Sequence, residues 1–171
     1  MKTSQSRDLV LFGVASAVLL LDQLTKHWVR TTLTLGVPVN PVPLLRPVFS
    51  FTYITNTGAS FGLFPQLASL YALIAVAVSA AIVYFRTQLP YASNLVWLSL
   101  GMQLGGSLGN LVDRLLWQGR VTDFIDLNFW PLQDWPVFNV ADSSVVVGVV
   151  LLAAHLLLAE PDTPSSDSAR D

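Results

Sequence analysis

The chain has 171 residues, of which 53% are hydrophobic and 12% are charged, with a formal net charge of −2 and no cysteine. Proteins usually carry about 25% charged residues, so a chain this short and this apolar is expected to be one domain embedded in a membrane. The slightly negative charge and scattered basic residues do not indicate nucleic-acid binding, and the lack of cysteine excludes disulfides and thiolate chemistry. With only His27 and His155 to offer imidazole, a histidine-based zinc site is disfavoured.

The first helix is predicted over residues 8–29. An uncharged apolar run at 9–21 follows two basic residues, a pattern that also describes a cleavable signal peptide. The apolar pattern continues beyond that run, which favours a transmembrane helix. The helix ends in DQLTK, where Asp22 and Lys26 are four residues apart and can neutralise each other. This pair is interpreted either as a charge pair at the membrane boundary or as support for a polar site.

Residues 31–55 differ in kind, because four prolines rule out a continuous helix. From 48 to 55, β-branched and aromatic residues dominate and alternate, which predicts one or two short strands outside the hydrocarbon. The sequence NTGASFG follows at 56–62, and its small residues indicate a tight turn. Asn56 could present its amide to a ligand there, and Gly58 permits a close approach of the backbone.

The second and third helices are predicted over 67–86 and 93–115. Each uncharged run is long enough to cross about 30 Å of hydrocarbon. In the third helix, Gly101, Gly105 and Gly109 recur every four residues. Such a stripe allows another helix to approach closely, and packing is its preferred interpretation.

Polar residues end the third helix. Gly106, Asn110 and Arg114 are spaced four apart, so they share one face. Asp113 stands beside Arg114, as it would in an interfacial anchor. Because an intramembrane asparagine accompanies the two charges, the group is interpreted as part of a polar site.

Residues 119–138 form a second polar connection. Its start, VTDFIDLNF, alternates like a strand, and its tryptophans and prolines are typical of the headgroup layer. The fourth helix is predicted over 139–159 and begins within FNVAD, which places Asn139 and Asp142 on its first turn. The tail at 161–171 is rich in Ser, Asp and Pro and is predicted to be disordered.

Two carboxylates stand where polar loops meet apolar runs, Asp123 in the second connection and Asp142 on the fourth helix. A charge inside a membrane costs ~3 kcal/mol at a helix centre, so their retention indicates a use. Like charges held close cannot both ionise easily, so one holds a proton. The pair can then activate water with one member and protonate a leaving group with the other.

Three alternatives remain open. A serine hydroxyl activated by a neutral Lys26 could attack a carbonyl, although Asp22 stands beside that lysine; the candidate serines are Ser60, Ser143 and Ser144. A small proton-coupled membrane carrier could use intramembrane carboxylates, but it would need polar residues at mid-depth. A non-catalytic assembly protein could be built on the glycine stripe, which would leave the two aspartates without a role.

Five short segments occur in a fixed order. They are DQLTK at 22–26, NTGASFG at 56–62, GGSLGNLVDR at 105–114, VTDFI at 121–125 and FNVAD at 138–142. Together they resemble the bacterial lipoprotein signal peptidases (type II, or prolipoprotein, signal peptidases), over residues 9–159. The resemblance implies an all-α integral membrane protein, a four-transmembrane-helix bundle with a small periplasmic β-strand region, in one domain at 1–160.

The same resemblance implies an aspartic endopeptidase of the bacterial inner membrane. It would remove signal peptides from diacylglyceryl-modified prolipoproteins by cleaving before the lipidated cysteine, with its active site at the periplasmic face and both termini in the cytoplasm. A monomer working on this substrate among membrane lipids, without nucleic acid, metal or cofactor, is expected.

By motif position, Asp123 and Asp142 match the catalytic aspartates of that family. The residues expected to bind substrate are Asn56, Gly58, Arg114 and Asn139. The residues expected to give structural polar support are Asp22, Lys26, Asn110 and Asp113.

Overall fold

The computed structural model describes residues 2–58, 68–89 and 93–158. Its four helices are α1 (Lys2–Thr32), α2 (Ala68–Phe85), α3 (Asn94–Leu116) and α4 (Val140–Leu158). Its three strands are β1 (Pro38–Val39), β2 (Phe49–Asn56) and β3 (Val121–Leu127), and short 3-10 turns lie at Pro43–Leu45 and Arg86–Gln88. Ser60, most of the NTGASFG turn and the predicted disordered tail lie outside the described residues.

The four predicted transmembrane helices are confirmed, because each is long and apolar enough to cross a membrane. Helix α1 begins at Lys2 rather than at residue 8. The apolar run marks only the part of the helix that lies in hydrocarbon. No proline or glycine precedes Gly13, so nothing in the sequence breaks the helix where its residues become polar.

Helix α3 is the centre of the bundle and packs against each of the other three helices. A Cβ atom added at Gly101 or Gly105 would approach the backbone of α1 to within 2.8 or 2.6 Å. On another face of α3, Gly106 meets the carbonyl oxygen of Ala141 in α4. These contacts support the packing interpretation of the glycine stripe, because any larger residue would separate the helices.

The two connections outside the helices pair into one antiparallel sheet in the order β1-β2-β3. The register of β2 against β3 shifts between Phe51 and Ile54, so the extra residue forms a bulge beside Asp123. On its other side β3 bonds to Phe138, because the backbones of Ile125 and Phe138 exchange two hydrogen bonds. The sheet therefore brings the end of β2, the middle of β3 and the start of α4 together, and both predicted strand regions are confirmed.

Candidate active site

The first turn of α4 is closed by a reciprocal cap. The Asp142 backbone N–H donates to Asn139 Oδ1 at 2.9 Å, and the Asn139 N–H donates to Asp142 Oδ2 at 3.2 Å. This is the geometry of a capping box, in which a side chain at each end satisfies a backbone donor at the other. Asp142 is thereby held at the N-terminus of the helix, where the helix dipole favours a negative charge.

Asp123 lies on β3 and is only 2% exposed. Its Oδ1 accepts a hydrogen bond from Asn139 Nδ2 at 2.6 Å, and its Oδ2 accepts one from Asn56 Nδ2 at 3.1 Å. The Asn56 amide is fixed in turn, since its Oδ1 accepts the backbone N–H of Gly58 at 2.9 Å. Asn139 thus contacts both aspartates, Asp123 through its side chain and Asp142 through its cap.

Burial first, and then the neighbouring charge of Asp142, raise the pKa of Asp123 from 3.8 to about 7. Hydrogen bonds from Asn56 and Asn139, and the charge of Lys26, act in the opposite direction. A carboxyl group with a pKa in this range exchanges a proton readily near neutral pH, which is what acid–base chemistry requires.

Asn110 on α3 connects the aspartates to a second buried group. Its Nδ2 donates to Asp142 Oδ1 at 2.7 Å. Its Oδ1 accepts hydrogen bonds from Asn139 Nδ2 at 3.1 Å and from Lys26 Nζ at 2.8 Å. A single amide therefore joins α1, α3 and α4 at the site.

The Asp22–Lys26 pair lies in the protein interior, with both side chains 0% exposed. Lys26 Nζ is 2.9 Å from Asp22 Oδ2 and 3.6 Å from the equally buried Asp113 Oδ2. Asp22 Oδ1 accepts the backbone N–H of Ala141, and Asp113 Oδ2 accepts that of Thr122, each at 2.9 Å. These contacts favour the interpretation of the pair as support for a polar site, because its partners come from neighbouring elements of the protein.

Arg114 lies at the edge of the site. Its guanidinium donates from Nη2 to the carbonyl oxygen of Gly58 and from Nη1 to that of Asn110, both at 3.4 Å, and lies 5.7 Å from the ring centre of Tyr71. Its Nε is buried and has no hydrogen-bond partner among the described residues. The expected closeness of Arg114, Asn56, Gly58 and the aspartates is thus found.

Sequence reasoning missed two members of the buried group. Gln23 Nε2 donates to Asp22 Oδ2 and to the carbonyl oxygen of Gly109, both at 3.1 Å. Arg30 Nη1 lies 3.4 Å from Asp113 Oδ1 and donates to Thr122 Oγ1 at 3.0 Å. Arg30 follows Lys26 by four residues, so the helical spacing was the available signal.

A cavity of about 320 Å³ opens beside the two aspartates, within the size range of small-ligand sites. Its polar wall is formed by Asn56, Gly58, Asn110, Arg114, Asp123, Asp142 and Ser143. Its apolar wall is formed by Val121, Leu127, Leu132, Trp135, Pro136, Val137, Phe138 and Val146. The cavity therefore offers carboxylates for chemistry on a polar bond and apolar side chains that can contact an apolar group.

The serine–lysine alternative is not assembled in the part of the chain that is described. The hydroxyl of Ser143 donates to the carbonyl oxygen of Asn139 at 2.9 Å, and that of Ser144 donates to Val140 at 2.8 Å. Both hydroxyls are thus committed to the backbone of α4, while Lys26 is held by Asp22 and Asn110. Across the described ranges no three His, Cys, Asp or Glu side chains are grouped as metal ligands would be.

Comparison with known proteins shows similarity along most of the chain. The family model described as signal peptidase (SPase) II matches residues 14–158. The lipoprotein signal peptidase of Moorella thermoacetica is 39% identical over 158 residues, which is 92% of this chain and 96% of its own length. That of Nostoc punctiforme is 38% identical over 162 residues, covering 94% and 96% respectively.

Two solved structures described as bacterial membrane enzymes are similar in fold. The one at 2.3 Å resolution has a TM-score of 0.76 at 30% identity, covering 88% of this chain and 92% of its own. The one at 1.9 Å resolution has a TM-score of 0.74 at 32% identity, covering 86% and 92%.

Proposed function

The chain belongs to the signal peptidase II family, and on that premise we propose that it is an aspartic endopeptidase with Asp123 and Asp142 as its catalytic pair. Its substrate is a diacylglyceryl-modified prolipoprotein, and the bond cut is the one before the lipidated cysteine. The observation that carries this proposal is the pairing of the two carboxylates on one cavity wall, joined by Asn139.

The pair acts on a water molecule and a peptide bond. One carboxylate removes a proton from water as the water oxygen attacks the carbonyl carbon before the lipidated cysteine. The other, protonated, carboxyl gives its proton to the substrate, and the C–N bond then breaks to leave a carboxylic acid and an amine. The pKa of about 7 for Asp123 supports this chemistry, because a group of that kind can hold the proton near neutral pH and release it.

The residues around the pair bind and orient the substrate. Asn56 and Asn139 hold the Asp123 carboxyl, and Asn56 also lines the cavity in which a peptide backbone would lie. Arg114 has a buried Nε–H to donate, and Gly58 has its carbonyl oxygen beside that guanidinium. The apolar residues of the cavity, such as Leu132, can contact apolar parts of that substrate.

We place the site at the periplasmic face of a bacterial inner membrane, with a monomer as the working unit. Support comes from the sheet and the polar cavity lying at one end of the bundle, together with the four membrane-spanning helices. A proton-coupled carrier would need charged groups through the middle of the bundle. In the described part of the chain, α2 carries no charged residue and the charges of α3 lie in its last turn, an arrangement that does not suit such a carrier.

The test is cleavage of a purified diacylglyceryl-modified prolipoprotein by the purified enzyme in detergent. Asp123→Asn and Asp142→Asn should each lower kcat by at least about 100-fold, because each removes one proton carrier. Asp126→Asn is the matched control: it lies on the same strand but bonds to Thr52 at 2.6 Å, away from the cavity, and should keep activity. Substantial turnover by either active-site variant would refute the aspartic mechanism, as would a loss of activity with EDTA that zinc restores.

A further inference from the structure

Lys26 is a buried ammonium group whose donors all point to protein groups. It has three N–H donors and no acceptor. They meet Asn110 Oδ1 at 2.8 Å, Asp22 Oδ2 at 2.9 Å and, at the longer distance of 3.6 Å, Asp113 Oδ2. Each of these partners also bonds to another element of the fold, so the position of Lys26 is fixed from several sides.

The contact with Lys26 helps to decide how the Asn110 amide is turned. An amide oxygen faces Lys26 and Asn139, both of which donate to it, so the NH₂ group must face Asp142. Hydrogen bonding to a cation polarises the amide and strengthens the bond that it donates at its other end. Lys26 thereby acts on Asp142 through one intervening side chain.

A second connection runs through the ion-pair partner of Lys26. Asp22 bonds to Lys26 through Oδ2 and accepts the N–H of Ala141 through Oδ1. Ala141 precedes Asp142 on the first turn of α4, so the Asp22–Lys26 pair also holds the backbone from which the aspartate projects. Two independent contacts of α1 therefore converge on the same residue.

We infer that Lys26 is a positioning residue that sets the protonation balance of the Asp123–Asp142 pair, acting through Asn110. The inference rests on the proposed function, in which one of the two carboxyl groups must hold a proton while the other is ionised. A support that served only to join helices would need the packing of Lys26 but not its charge. The charge is therefore the property to be tested.

The charged groups that face this region come from three helices and one strand. Helix α1 contributes Asp22, Lys26 and Arg30, and α3 contributes Asp113 and Arg114. The remaining charges are the two aspartates of the site themselves. Within the buried group, the carboxylates of Asp22 and Asp113 are balanced by the cations of Lys26 and Arg30. Arg30 contacts Asp113 and Thr122, whereas Lys26 contacts Asn110 directly.

The experiment measures kcat for prolipoprotein cleavage against pH. Lys26→Met should lower kcat and move the midpoints of the profile upward by about one pH unit, because loss of a nearby cation disfavours ionised carboxylates. The charge of Lys26 opposes the raised pKa of Asp123, which gives the same sign. Lys26→Arg should restore the midpoints even where kcat stays low, since the charge returns with a different shape.

Arg30→Met is the matched control, because it removes a cation from the same helix and the same buried group without a contact to Asn110. It should leave the midpoints at their wild-type values. A double variant, Lys26→Met with Asn110→Leu, should have the midpoints of Asn110→Leu alone, since residues that act through one another are not additive. Equal shifts for Arg30→Met and Lys26→Met, or additive shifts in the double variant, would overturn the inference.

If Lys26→Met does not fold, Asn110→Leu alone provides the test. It removes the amide that joins Lys26 to Asp142 and leaves Lys26 paired with Asp22 and Asp113. It should move the midpoints in the same direction, and unchanged midpoints would overturn the inference. Wild-type enzyme that fails to cleave the prolipoprotein overturns the proposed function and this inference together. If the wild-type enzyme cleaves the prolipoprotein but the Lys26 variants keep the wild-type midpoints of the pH profile, this inference alone is overturned.

Discussion

Replacement of Asp123 by asparagine should change how the stability of the protein depends on pH. Burial raises the pKa of this carboxyl from 3.8 to about 7 in the folded protein. The folded state therefore holds the proton more tightly than the unfolded state does. The resulting stabilisation is complete below a pH of about 4 and is lost as the pH rises through about 7.

The size of the effect follows from the size of the shift. Each pKa unit corresponds to about 1.4 kcal/mol, so a rise from 3.8 to about 7 costs the folded state about 4 kcal/mol once the carboxyl is ionised. Between pH values of about 5 and 8.5, the wild type should lose about 3 kcal/mol of unfolding free energy through this one group. Solvent screening reduces this little, because the side chain is 2% exposed.

The asparagine of the Asp123→Asn variant stays neutral throughout this range. The unfolding free energy of the variant should therefore lack the part of its pH dependence that comes from this carboxyl. The new amide places a donor opposite Asn56 or Asn139, both of which donate to the wild-type carboxyl. An unmet donor of this kind costs about 1–3 kcal/mol, but it costs the same at every pH. The variant is therefore expected to be the less stable protein at low pH and to recover relative to wild type as the pH rises.

The assay is unfolding by SDS in mixed micelles, followed by the fluorescence of the five tryptophans at each pH. Asp134→Asn is the control, since it makes the same chemical change at an exposed position and should keep the wild-type slope. Parallel curves for wild type and Asp123→Asn would refute the reasoning, because they would show that the buried carboxyl does not hold its proton differently in the folded state.

Two further predictions concern packing and orientation. Gly106→Ala should destabilise the protein by about 1–3 kcal/mol and lower activity, since its Cβ would collide with the carbonyl oxygen of Ala141; Gly13→Ala, with nothing within 4 Å of its Cβ, is the control, and equal melting temperatures would contradict the packing argument. Reporter fusions at Pro41 and Gln133 should indicate the periplasm and a fusion after the last helix the cytoplasm, whereas the reverse pattern would exclude the proposed face.

The helices and strands could be predicted because their signals are local. An uncharged run of about 20 residues predicts a transmembrane helix, and alternating β-branched residues predict a strand. The pairing of β2 with β3 could not be predicted, because alternation shows that a strand exists without naming its partner. The bulge between Phe51 and Ile54, which adjusts the register beside Asp123, is a further consequence of that pairing.

The setting of Asp22 and Lys26 was predicted less well for a related reason. Two opposite charges four residues apart look the same at a membrane boundary and in a protein core. What decides between them is a third and fourth partner, here Asn110 and Asp113, supplied by a helix about 85 residues later in the chain. Trp135 shows the same limit: a tryptophan beside prolines indicates the headgroup layer, and only the folded structure shows that it also lines the cavity.

The glycine stripe of α3 contributes both to helix packing and to the polar site, so the two interpretations do not exclude each other. At its start, Gly101 and Gly105 allow the backbone of α1 to come close to α3. At its end, a Cβ atom on Gly109 would lie 2.5 Å from Asp22 Oδ2, so the same spacing now makes room for a carboxylate. The close approach that brings α1 against α3 is what allows Asp22 to reach Ala141 and Lys26 to reach Asn110. A buried charge needs several partners at short range, and in this bundle the helices packed at glycine bring those partners close enough.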